Sequence, residues 1–265
     1  MSRERDEGLE VAYDELRLSH EEFGSVGMPL LFVHGLGCDR TDFSYQIERF
    51  GRERRVVAVD LRGHGQSIRP EGDYSVPTFA DDLARLCSEL ELERPAIVGH
   101  SMGGQVALDL AARYPGFPGA VVMLDSTVLP PSRFTEFLRP FSAAMRTPGY
   151  REALHRFFEY AFAPTDNPGR KERLLERISL IPQHVAQPSW ESVFSAWDGA
   201  AAAAGCETPV LYVDHGSPVC DLDHLRELCP QLLQGKTVGA GHWAMLEVPE
   251  QVDAMIGRLL EMVRV

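Results

Sequence analysis

Five short, uninterrupted apolar runs set the tightest limit on how this 265-residue chain folds. They are residues 30–33 (Leu-Leu-Phe-Val), 56–59 (Val-Val-Ala-Val), 96–98 (Ala-Ile-Val), 120–124 (Ala-Val-Val-Met-Leu) and 210–213 (Val-Leu-Tyr-Val). A strand with one wet face alternates polar and apolar positions, so a strand apolar throughout must be covered on both faces. Between the runs lie stretches with helical spacing. Residues 79–92 carry Phe79, Leu83, Leu86 and Leu90 on one face, and residues 102–114 read as a second helix. Residues 249–263 read as a closing helix, with Pro249 in its first turn and Val252, Met255, Ile256, Leu259 and Leu260 along one stripe. Alternation of this kind predicts an α/β fold: a mostly parallel, doubly wound sheet with helices on both sides. Residues 9–23 are expected to add an antiparallel edge hairpin.

The alternation stops between Asp125 and Pro209. That stretch has helical patterns at 134–145, 150–162, 171–181 and 189–204, punctuated by prolines, and no convincing strand. It reads as a helical cap, residues 129–208, inserted into a core made of residues 1–128 and 209–265. Eleven of the chain's 23 aromatic side chains fall in the insertion. Many must build the cap's own core. Phe134, Phe137, Trp190, Phe194 and Trp197 are the candidates to line an apolar cleft between cap and sheet, where small-molecule sites commonly lie.

Composition removes several functions. Lys and Arg number 26 against 39 Asp and Glu, a formal charge of −13, and no basic run exists to displace counterions from phosphate. Nucleic acid and anionic membrane surfaces are therefore not expected partners. Cys38, Cys87, Cys206, Cys220 and Cys229 are scattered, without a C-x-x-C pair, which fits free thiols in a reducing compartment. With a polar start and no apolar run long enough to span a bilayer, the expected location is cytoplasmic. Gly35-x-Gly37 is followed by Arg40 where a dinucleotide fingerprint needs Gly, and there is no phosphate-binding Gly-Lys-Ser/Thr, so no cofactor is expected. His215, Cys220, Asp221, Asp223, His224 and Cys229 crowd one loop, but their spacing matches no standard metal site.

The chemistry is carried by Gly99-His100-Ser101-Met102-Gly103, a G-x-S-x-G motif placed after a buried strand and before a helix. A nucleophile there sits on a sharp turn that aims Oγ out of the sheet, and the glycines let strand and helix backbones pass close together. The helix that follows turns its free N–H groups toward developing negative charge. In order along the chain, this elbow is preceded by His34-Gly35-Leu36-Gly37 and Asp60-Leu61-Arg62-Gly63-His64-Gly65-Gln66-Ser67, and followed by Gly241-His242-Trp243. With these four blocks the chain resembles the α/β-hydrolase family over nearly its whole length. The resemblance implies Ser101 as nucleophile, His242 as general base, and the backbone N–H groups of Leu36 and Met102 as the oxyanion hole. His34, His64 and His100 belong to turn motifs and are expected to brace backbone. Asp60 is expected to anchor its own turn.

The acid that should orient His242 is less plain. Many relatives carry it after the strand at 210–213, but here the matching position is Ser217. A minority branch of the fold carries it one strand earlier, and Asp125 holds that place. Asp214 and Asp221 remain open as alternatives that a shifted loop could bring in. Taken together, the resemblance implies a serine hydrolase of carboxylic esters or lactones, acting on a small molecule. The rivals on the same scaffold are a carbon–carbon bond hydrolase of ring-cleavage products and a non-catalytic ligand-binding protein. The aromatic-rich insertion favours an apolar or aromatic acyl or alcohol group.

Overall fold

The apolar runs assemble into the middle of one sheet, of seven strands among the described residues. A computed structural model describes residues 17–216 and 219–263. Its strands are β1 (His20–Phe23), β2 (Leu30–Val33), β3 (Val56–Val59), β4 (Ala96–His100), β5 (Ala120–Leu124), β6 (Val210–Asp214) and β7 (Leu232–Lys236). They lie in the order β1-β3-β2-β4-β5-β6-β7, with β1 antiparallel to β3 and all other neighbours parallel. Every residue of β2 to β6 is buried, as continuous apolar strands covered on both faces require.

At one edge of the sheet β1 pairs antiparallel with β3; residues 9–16 of the expected hairpin lie outside the described residues. β7, Leu-Leu-Gln-Gly-Lys, escapes notice because an edge strand has few buried positions and so no apolar run; only its first residue is buried.

The helices of the sheet's two faces are α1 (Ser44–Phe50), α2 (Val76–Glu89) and α3 (Met102–Arg113). Between β5 and β6 the chain makes its long excursion through α4 (Ser132–Ala144), α5 (Tyr150–Glu159), α6 (Pro168–Ser179), α7 (Gln183–Glu191) and α8 (Gly199–Gly205). It then closes with α9 (Leu222–Leu228), α10 (Ala244–Glu247) and α11 (Pro249–Met262). The helix expected over 189–204 is broken. α7 runs into a π-helical turn at Ser192–Ala196, Trp197 adopts extended backbone, and Asp198 restarts the chain by accepting from the Ala201 N–H. The break serves attachment to the sheet side: Ser192 Oγ accepts from Val76 N–H at 2.8 Å, and the Val193 carbonyl accepts from Gln105 Nε2 at 2.9 Å.

Among the described residues no helix is long and apolar enough to cross a membrane. All five cysteines are buried and free.

Candidate active site

In an open parallel sheet, ligands gather beyond the carboxyl ends of the strands. Those ends here deliver His34-Gly35-Leu36-Gly37 from β2, Ser101 from β4, Asp125 from β5, His215 from β6 and, after a short loop, Gly241-His242 from β7.

Ser101 links β4 to α3 with φ 52° and ψ −117°, a conformation that costs a non-glycine residue roughly 1–3 kcal/mol. Surrounding hydrogen bonds hold it there. Its N–H donates to the Leu124 carbonyl at 2.8 Å, and its carbonyl accepts from Gly104 N–H at 3.0 Å. The flanking glycines are steric necessities. A Cβ on Gly99 would lie 2.2 Å from the Gly103 carbonyl carbon, and one on Gly103 would lie 2.2 Å from the Val33 oxygen. The β2 loop passes just as close, since a Cβ on Gly35 would sit 3.1 Å from Ser101 Cβ.

That loop is braced by His34. Its Nε2 accepts from Leu61 N–H at 3.0 Å, so the proton sits on Nδ1, which donates to the Gly35 carbonyl at 2.8 Å. Burial pushes His34 down to about 4, which keeps it neutral and fit for both bonds. His64 donates from Nδ1 to the Arg62 carbonyl at 2.9 Å, and His100 from Nε2 to the His242 carbonyl at 3.0 Å. Burial depresses both, His64 to about 3. Asp60 accepts from the N–H groups of Arg40 and Gln66, each at 2.8 Å. From α6, Arg177 reaches Asp39 Oδ2 at 2.9 Å and both oxygens of buried Asp42 at 2.6 Å, clamping the far end of the β2 loop.

Across the sheet, His242 Nδ1 donates to Asp125 Oδ2 at 2.5 Å, joining residues 117 apart in sequence. Asp125 itself has φ 49° and is tied to β6 through its N–H on the Val213 carbonyl at 2.8 Å. A second imidazole reaches the same oxygen: His215 Nε2 lies 3.1 Å from Oδ2. Burial pushes the Asp125 carboxyl up, but the bonds from His215 and His242 more than offset this and hold it well below the usual carboxylate range. The other two carboxylates have different partners. Asp214 accepts from Gly216 N–H at 2.7 Å and Gln234 Nε2 at 3.0 Å, and Asp221 caps α9 through His224 N–H at 3.1 Å.

Ser101, Asp125, His215 and His242 all border one cavity of about 630 Å³. Its remaining wall is largely aromatic and comes from the β5–β6 excursion.

A sequence profile of the Alpha/beta hydrolase family matches residues 30–255, most of the chain. The chain belongs to the alpha/beta hydrolase family. It is 36% identical to the AB hydrolase superfamily protein YisY of Bacillus subtilis over 267 aligned positions, covering 92% of this chain and 96% of YisY. Among solved structures it is similar to a thermophilic esterase from Thermogutta terrifontis (TM-score 0.82, 26% identity, 94% of this chain and 95% of that one). It shares its fold with the enol-lactonase from Burkholderia xenovorans LB400 (TM-score 0.81, 21% identity, 92% and 96% covered). Other curated relatives, from mycobacteria, are longer: the match there is 37% over 100 residues, 38% of this chain and 29% of theirs.

Within this cavity, the five aromatic candidates divide. Phe134, Phe137 and Phe194 line it. Trp190 does not: it is fully buried, donates from Nε1 to Ser142 Oγ at 2.9 Å, and packs edge-on against Phe157. Trp197 points elsewhere, donating to Asp109 Oδ1 on α3 at 2.8 Å, because the helix break turns it away. Sequence reasoning missed Phe157, Phe158 and Tyr160, which complete the aromatic wall. Their clustering at the end of α5 was visible, but which side of that amphipathic helix meets the cavity is set by packing. It also missed His215. No local pattern marks that residue, whose place follows from the pairing of Leu124 with Val213.

Proposed function

We propose that this chain is a serine hydrolase of carboxylic esters, lactones included, working through an acyl-enzyme on Ser101. The observation that carries the reading is the 2.5 Å bond from His242 Nδ1 to Asp125, on the rim of the cavity that Ser101 also borders. With Nδ1 committed to Asp125, the free Nε2 of His242 is the atom available to take the Ser101 proton. Ser101 Oγ then attacks the carbonyl carbon, and the backbone N–H groups of Leu36 and Met102 receive the oxyanion. One such donor is worth about 3–4 kcal/mol of barrier in enzymes of this type. His242 returns the proton to the leaving alkoxide, which for a lactone stays tethered to the acyl chain. Water, giving its proton to His242, releases the acid and restores Ser101. Side chains, backbone and water supply every proton and charge in this scheme, so it calls for no cofactor.

The division of labour follows. Residues 1–128 and 209–265 would form the catalytic core, and residues 129–208 a cap whose Phe134, Phe137 and Phe194 contact the substrate, together with Phe157, Phe158 and Tyr160. An aromatic wall suits a small molecule with an apolar acyl or alcohol group. The esterase from Thermogutta terrifontis makes ester hydrolysis the activity to assay first. Turnover of p-nitrophenyl butyrate, stoichiometric labelling of Ser101 by a fluorophosphonate, and loss of both in Ser101→Ala are the expected results. Ligand binding without turnover would favour a binding protein. Hydrolysis confined to a vinylogous diketo acid would favour carbon–carbon cleavage.

A further inference from the structure

Asp125 receives two imidazoles on one oxygen: His242 Nδ1 at 2.5 Å and His215 Nε2 at 3.1 Å from Oδ2. Its other oxygen, Oδ1, is buried and has no hydrogen-bond partner among the described residues. His215 directly follows β6, and the β5–β6 pairing brings it beside the end of β5. Its ring borders the cavity and its side chain is 17% exposed, so protons from solvent reach it, whereas the Asp125 side chain is only 6% exposed.

We propose that His215 is a positioning residue for the carboxylate that orients His242: its Nε2–H holds Asp125 ionised and in place, and protonation of its ring turns the relay off in acid. The inference rests on the assignment of Ser101, His242 and Asp125 proposed above. A buried carboxylate without donors is strongly disfavoured, and a single imidazole N–H leaves Asp125 poorly served. Neutral His215 supplies a second donor and adds no charge. Protonated, it becomes a cation against the same oxygen. Asp125 then has its charge matched before His242 accepts a proton, and stabilises the His242 imidazolium less. The base weakens, and turnover falls.

The charged groups around His215 set where this happens. Asp125 faces it from β5, Asp214 from β6 and Asp166 from the excursion between α5 and α6. Lys236 of β7 lies near the adjoining Gly216, where a Cβ would be 3.1 Å from Nζ; Arg133 of α4 borders the same cavity; and His242 lies beyond Asp125. The hydrogen bond to Asp125 raises His215 above an ordinary histidine, with burial opposing it and the acidic neighbours adding to it.

The test is the pH dependence of kcat/KM for p-nitrophenyl butyrate, measured from pH 5 to 9 on the wild type, His215→Gln and His215→Ala. In the wild type two groups must be unprotonated, His242 and His215, so the acid limb should be steeper than one proton allows. His215→Ala, lacking the donor, should lose about ten- to hundredfold in kcat at pH 8 with KM within about twofold. His215→Gln presents an amide N–H that never charges. It should recover most of the kcat lost in His215→Ala and show a one-proton acid limb. A one-proton limb in the wild type overturns the proposal and needs no variant to fold. So does His215→Ala with wild-type kcat, or His215→Gln as impaired as His215→Ala. A wild type that neither turns over ester nor is labelled at Ser101 sinks the triad reading, and this inference with it. Normal labelling and turnover combined with a failed His215 series sinks this inference alone.

Discussion

The two halves of the site are anchored by different parts of the molecule. Ser101 is held from within the sheet, by a left-handed turn and by glycines with no room for a Cβ; the β2 loop is braced by a neutral His34 and clamped from α6 by Arg177. His242, bonded to the sheet side through Asp125 and His100, is held from the excursion as well. Its N–H donates to the Ala161 carbonyl at 2.9 Å, and Gly241 N–H donates to Asp166 Oδ1 at 3.0 Å. Phe162 stacks on Trp243 with ring centroids 4.6 Å apart. The difference teaches that Ser101, the proposed nucleophile, is fixed by backbone geometry alone, while His242, its proposed base, leans also on a segment that walls the cavity. Changes in the excursion should therefore reach catalysis through His242 and leave Ser101 where it is.

The largest effect should come from cutting the side-chain bond between Asp125 and His242. Asp125→Asn keeps the shape but favours the wrong His242 tautomer, and kcat should fall about 10³- to 10⁴-fold. Asp214→Asn should stay within about fivefold of wild type. Steady-state kinetics of both variants check this, and an Asp125→Asn enzyme with near-normal kcat would remove the link between the halves.

Next is acid stability, which tests the braces on both sides. His34, His64 and His100 have folded pKa values depressed by burial, so the unfolded chain binds more protons between roughly pH 6.5 and their folded values. Stability is full above that window and falls as pH drops, by up to about 1.4 kcal/mol per pH unit for each histidine. His215 runs the other way, since its raised value adds stability in acid, and offsets part of the loss. Unfolding free energies from urea titrations at pH 7.5 and pH 5 should differ by several kcal/mol. A flat profile would mean these imidazoles are not the buried neutral struts described.

The smallest effect sharpens the asymmetry most. Asp166→Ala frees the Gly241 and Ala163 N–H groups, one on each side of the contact between the excursion and the His242 loop. About a tenfold fall in kcat is expected, with KM for a short ester within about threefold and a melting temperature lowered by a few degrees. Equal losses from a comparably mild change in the β2 loop would erase the contrast.

What could be read in advance follows the same line. The elbow, the β2 turn and Asp125 at the end of an apolar run are local statements, because a strand end and a glycine pair announce their geometry within a few residues. β7 was hidden by its polar edge position, and His215 by depending on strand register rather than pattern. In the excursion, composition flagged aromatic residues, but which of them face the cavity is decided by packing between helices. Trp190 became core and Trp197 turned to α3, while Phe157 and Phe158 took the wall. The π turn before Trp197 had no single-residue signal, since it answers to bonds with Val76 and Gln105 far away in sequence, whereas the restart at Asp198 is a local N-cap.

Asp125 as the proposed acid has an implication for redesign. The connection after β6, which borders the cavity at Gly216 and Val219, is then relieved of supplying a carboxylate to the proposed triad. Provided His215 is retained, that connection can be shortened, lengthened or randomised to reshape what the enzyme admits, with the proton-handling machinery left untouched on the neighbouring strand.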